Sequence, residues 1–96
     1  MEREQPVLEQ RREQRFKTDQ LARMTVLGYR PGPVVSVRVL DLSGSGMRLR
    51  SNLPVPCGMS VNVESNNLVA RGEVCRCEPE RDSYTLGIQV FNIYIK

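Results

Sequence analysis

Ninety-six residues of ordinary composition, 40% hydrophobic and 26% charged, suffice for one domain and leave no space for a second core. The chain has no His and no Trp, which excludes imidazole catalysis and His-ligated zinc. A formal charge of +3 is too mild for a dedicated nucleic-acid binder, so the placement of charge matters more than its sum.

Residues 1–20 are polar, with Val7, Leu8 and Phe16 as their only sizeable apolar groups. Their five basic residues (Arg3, Arg11, Arg12, Arg15, Lys17) balance five acidic ones (Glu2, Glu4, Glu9, Glu13, Asp19). Nine of the 14 basic and six of the 11 acidic residues therefore remain for the rest of the chain. Short helices in such a segment are marginal in water, so it is expected to be an arm, mobile or weakly helical until something holds it.

From residue 21 the pattern becomes short strands separated by turns. Leu21–Leu27 is the first candidate, ended by Gly28 and the cluster Arg30-Pro31-Gly32-Pro33. In Val34–Asp41, Val35, Val37 and Val39 share one face and Ser36 and Arg38 the other. Ser43-Gly44-Ser45-Gly46 makes a tight turn into Met47–Ser51, where Met47 and Leu49 point inward and Arg48 and Arg50 outward. After Pro54, Pro56 and Gly58, Val61 and Val63 alternate with Asn62 and Glu64. Leu68–Glu78 follows, with Gly72 marking a bulge or a close backbone approach. Tyr84, Leu86, Ile88 and Val90 give the cleanest alternation. Six short strands without long helices predict an all-β fold, a small six-stranded antiparallel barrel over residues 21–96.

Three cysteines (Cys57, Cys75, Cys77) do not make a disulfide framework, and buried or half-buried structural thiols are expected. Cys75 and Cys77 should face the same side of a strand. No apolar run approaches the ~20 residues that cross a bilayer, and the Met1-Glu2-Arg3-Glu4-Gln5 start is not a signal peptide. A cytoplasmic location is expected, with neither a metal nor a cofactor.

Two clusters carry functional chemistry. Arg11, Arg12 and Arg15 lie within five positions; Arg11 and Arg15 are also spaced as i, i+4 neighbours on a solvated helix. Guanidinium forks pair with phosphate oxygens and with the O6/N7 edge of guanine, and they stack on bases. Asp41-Leu42-Ser43-Gly44-Ser45-Gly46 reads either as an ordinary turn with glycine at positive φ or as a binding turn. In the second reading Asp41 accepts from the N1–H and N2 amine of guanine, Ser43 bonds a phosphate or base atom, and Gly46 lets the backbone approach the ligand.

Arg-x-x-x-Arg at Arg11 and Arg15, with Asp-x-Ser-x-x-Gly at Asp41, Ser43 and Gly46, resembles the PilZ domain family from about Gln10 to Phe91. Arg12 matches a doubled arginine of the first motif, and Gly87–Phe91 is similar to the closing strand. The five residues after Phe91 leave little for the C-terminal helix that many members carry. The resemblance implies binding of cyclic di-GMP through Arg11, Arg12, Arg15, Asp41, Ser43 and Gly46. It also implies an arm that reorders on binding and relays the signal to an effector protein, with homodimerisation left open. The competing readings are a protein-interaction module and a nucleic-acid-binding barrel, the latter weakened by the few aromatic platforms among two Phe and three Tyr. An enzyme is not expected, because no carboxylate or histidine cluster is available for metal-assisted hydrolysis.

Overall fold

The computed structural model describes residues 16–28 and 30–96. Within them lie six strands: β1 Phe16–Val26, β2 Val34–Leu42, β3 Gly46–Ser51, β4 Ser60–Glu64, β5 Leu68–Pro79 and β6 Tyr84–Ile95. All pairings are antiparallel, and the order β1-β2-β3-β6-β5-β4 closes back on β1 as a barrel. No described residue is helical. The all-β barrel expected from the alternating pattern is what the chain forms.

Alternation explains the interior. Met24, Val39, Leu49, Val61, Val74 and Leu86 are fully buried, each at an inward position of a different strand. Their polar neighbours, among them Arg38, Arg48 and Arg50, remain outside. Closure removes the long unpaired edges that strands this short would otherwise show to solvent.

Two strands extend beyond the limits expected from the sequence. β1 begins at Phe16, inside the segment expected to be arm, and Phe16 and Lys17 pair with Leu42 and Asp41. The polar run Lys17–Gln20 has no apolar alternation to signal a strand, since it is held by backbone pairing and by an ion pair from Asp19 to Arg38 (3.0 Å). β6 likewise continues past Phe91 to Ile95, paired with the start of β5. The expected irregularity at Gly72 is present as a register shift between Arg71 and Gly72, and a Cβ there would strike the Gln89 carbonyl oxygen.

The two barrel ends differ. At one, the β3–β4 connection inserts Val55 into the core, and the Gly58 N–H donates to the Val74 carbonyl (2.7 Å). At the other, beside the Ser43–Ser45 and Ser65–Asn67 turns, the start of β1 runs past the end of β4 and the end of β6 runs past the start of β3. Lys96 ties the end of β6 to β4 through Glu64 (2.7 Å), and Arg23 on β1 approaches the same carboxylate at 3.8 Å.

The hydrogen bond and charge of Lys96, and to a smaller extent the charge of Arg23, lower the Glu64 pKa below its ordinary value. A depressed carboxylate contributes stability above its unfolded-state pKa and loses it as pH falls through the folded-state value. A pH titration of the Glu64 carboxyl by NMR should find a midpoint below that of a free glutamate, and Lys96→Met should move it upward.

Candidate functional site

Strict alternation from Val35, Val37 and Val39 would aim Asp41 into the apolar interior. The register shift between Val39 and Asp41 prevents this: Val39 pairs with inward Leu49, whereas Asp41 pairs with outward Arg48. Leu40 is the extra residue of the bulge, and a second irregularity in β1, between Lys17 and Gln20, lies opposite it. Asp41 is thus on the outer wall yet only 5% exposed, with an Oδ2 to Arg48 Nε contact of 2.9 Å. The guanidinium balances the carboxylate and orients it.

The turn after Asp41 is closed by Ser43. The Ser43 N–H donates to the Gly46 carbonyl (2.8 Å), and the Gly46 N–H donates to Ser43 Oγ (3.1 Å). Ser43 is buried, and its hydroxyl lies 3.3 Å from the same carbonyl. Gly46 does not have positive φ, contrary to the expectation for this turn; positive φ occurs at Gly28 and Gly58. A Cβ at Gly46 would meet Ser43 Oγ at 3.6 Å and the Ile88 carbonyl oxygen at 3.7 Å, ordinary contacts. The local fold therefore does not demand glycine at this position.

Cross-strand pairing extends the site sideways. Lys17 on β1 neighbours Asp41, Asp41 neighbours Arg48, Arg48 neighbours Gly87 on β6, and Gly87 neighbours Arg76 on β5. This outward row places three cations and one anion around a glycine. Gly87 leaves a gap between Arg48 and Arg76, whose strands are roughly 9–10 Å apart at normal strand spacing. A depression of about 330 Å³ occupies this region, bounded by Ser45, Gly46, Arg48, Cys75, Arg76 and Gly87. It is an open, cationic surface next to a fixed carboxylate.

Asp41, Ser43 and Gly46 are therefore brought together as expected, while Arg11, Arg12 and Arg15 lie outside the described residues. Arg38 and Arg50 do face outward as cross-strand neighbours, one pleat from Arg48. Sequence reasoning missed Lys17, Arg76 and Gly87. Lys17 was counted with the arm, but a glycine at an outward position of β6 was a usable signal of close backbone approach.

The cysteines correct an expectation. Cys57 and Cys75 are exposed, and only Cys77 is half-buried. The register shift between Val74 and Arg76 makes Cys75 the extra residue of a bulge, so it does not share the inward side of Cys77, which pairs with Leu86. The Cys75 thiol donates to the Gly87 carbonyl (3.4 Å), on the border of the depression. Among the described residues there is no group of three His, Cys, Asp or Glu side chains placed to hold a metal ion.

The chain is thus a small closed β-barrel that carries an open cationic surface beside a positioned carboxylate. The family profile of the PilZ domain matches residues 9–95, nearly the whole chain, and the chain belongs to that family. PilZ domains are binding domains rather than catalysts, and the family is known for binding cyclic di-GMP. No curated protein matches the chain. Among the described residues, no helix is long and apolar enough to cross a membrane.

Thiol labelling of the native protein should show Cys57 and Cys75 reacting quickly and Cys77 at least several-fold more slowly. Equal protection of Cys75 and Cys77 would contradict the bulge.

Proposed function

We propose that this chain binds cyclic di-GMP on the outer wall at the Asp41–Gly46 turn and relays the signal to an effector protein through its N-terminal arm. The observation that carries this reading is the row Lys17–Asp41–Arg48–Gly87–Arg76 beside that turn. It offers what a dianionic, guanine-bearing ligand requires: cations for phosphates, an acceptor for a purine edge, and a bare glycine surface on which a flat ring can lie.

Each residue has a role in this account. Asp41, already oriented by Arg48, accepts from the N1–H and N2 amine of one guanine. Arg11 and Arg15 contact phosphate and the Hoogsteen edge, with Arg12 stacking or supporting. Ser43 acts chiefly by holding the turn, because its hydroxyl is engaged with Gly46 at 3.1 and 3.3 Å. Gly46 keeps the surface open to the ligand where a side chain would fit the fold but obstruct the approach. Arg76 and Gly87 extend the surface beyond the two motifs.

Charge-assisted hydrogen bonds contribute roughly 1.5–3 kcal/mol each, and ordering the arm offsets part of that gain. A micromolar dissociation constant, about −8 kcal/mol, is the expected balance. The reordered arm presents a new surface to the effector, an order–disorder switch driven by the ligand.

Isothermal titration tests the reading. Wild-type protein should bind cyclic di-GMP in the micromolar range, and the Arg11→Ala/Arg15→Ala double variant should bind at least about 100-fold more weakly, as loss of two charge-assisted contacts requires. Gly46→Ala should melt like the wild type yet lose affinity. Undiminished binding by the double variant contradicts the clamp. Tighter, salt-steep binding of an oligonucleotide would instead favour a nucleic-acid-binding barrel.

A further inference from the structure

β6 is longer than the neighbour that covers its β3 side. The β3 ladder ends at Gly46 opposite Gln89, with a last hydrogen bond from the Val90 N–H to the Ser45 carbonyl (2.9 Å). Beyond that point β6 continues to Ile95, paired with β5 alone among the described residues. The Lys96 N–H donates to the Asn67 carbonyl on the β5 side (2.9 Å). Hydrogen-bonding directions alternate along a strand, so the N–H and C=O groups of Ile95 and Ile93 point to the opposite, uncovered edge.

A bulge at Phe91, opposite the Arg71/Gly72 register shift, marks the start of this edge, and from Asn92 to Ile95 no further device keeps it apart. Residues 90–95, Val-Phe-Asn-Ile-Tyr-Ile, include no charge and no proline. Beyond half-buried Val90 the side chains are left in solvent: Ile95 is 76% exposed, Tyr94 62% and Phe91 57%. The one nearby charge, Lys96, is held by Glu64. Ile93 and Ile95 pair with buried Ala70 and Leu68, which places them on the inward side of the sheet, with Tyr94 on the outward side.

We propose that a second copy of this chain pairs with this edge, β6 antiparallel to β6, about a two-fold axis at Tyr94. This register sets Ile93 against Ile95 of the partner and Ile95 against Ile93, so both N–H and both C=O groups on each edge are satisfied by about four hydrogen bonds. The four isoleucines then form one apolar patch continuous with Leu68 and Ala70. On the other side the two Tyr94 rings meet at a closely spaced pair, where side chains interact most strongly. The β5–β6 hairpins of the two copies become one four-stranded sheet.

A second copy is favoured over another occupant because the edge is its own complement. Two-fold pairing opposes no like charges, matches apolar side chains with apolar ones, and uses every exposed backbone group at Ile93 and Ile95. The contact does not involve Asp41, Arg48 or Arg76, so the inference goes beyond the ligand-binding reading and is tested without ligand.

Sedimentation of the full chain from micromolar to millimolar concentration should show a monomer–dimer equilibrium. Tyr94→Lys and Tyr94→Glu, at an exposed position, should each raise the dimer dissociation constant at least about tenfold while leaving thermal melting close to wild type, because like charges would then meet at the axis. Mixing the two variants should restore association. A wild-type chain that stays monomeric, a dimer insensitive to both variants, or a mixture no more associated than its components would each overturn the proposal. So would protection of the Ile93 and Ile95 amides from exchange only when an extended peptide of another sequence is added.

Discussion

A carboxylate at position 41 is compatible with this barrel because β2 carries one residue more than β3 between Val39 and Asp41. Without that bulge, the alternation of Val35, Val37 and Val39 would direct a charged group into a core of Met24, Leu49 and Leu86, where an uncompensated ion costs several kcal/mol. With it, Asp41 turns to the outer wall, meets the Arg48 guanidinium at 2.9 Å, and becomes the fixed point of a charged row crossing five strands. The turn that follows inherits its position from the same shift. Ser43 closes that turn through Gly46, leaving Gly46 beside the depression.

Closure of six unequal strands has a second consequence. β3 and β4 have six and five residues, whereas β1, β5 and β6 have 11 or 12, so at one end of the barrel the start of β1 projects past β4 and the end of β6 past β3, while the end of β5 projects past β4 at the other. The opposite end is sealed by Val55. The end that holds the start of β1 and the end of β6 therefore carries both the Asp41–Gly46 turn and the part of β6 that, among the described residues, β3 leaves uncovered, whose nearest fixed point is the hydrogen bond from Val90 to Ser45. The proposed ligand surface and the proposed pairing edge thus lie side by side without sharing side chains.

Much of this was legible in the amino-acid order, for identifiable reasons. Apolar residues spaced by two determine strand faces, so the inward positions of Met47, Leu49, Leu86 and Ile88 follow from the sequence. Asp41, Ser43 and Gly46 were recognisable because turn chemistry is local. What escaped depends on pairing between strands. Bulges at Leu40 and Cys75 change a residue's side without changing composition, so the direction of Asp41 and the exposure of Cys75 could not be read from alternation. Lys17 joins the site through a strand with no apolar signature, and Arg76 through four successive registers.

The central claim is that the cationic row beside the Asp41–Gly46 turn receives cyclic di-GMP. Mapping amide shifts in an NMR titration with that ligand tests it most directly. The account predicts the largest shifts at Asp41, Ser45, Gly46, Arg48, Arg76 and Gly87, with little change at Asn62, Arg71 and Asn92, which pair across β4, β5 and β6 several residues away from that row. Shifts concentrated on those three residues, or none at saturating ligand, would contradict it.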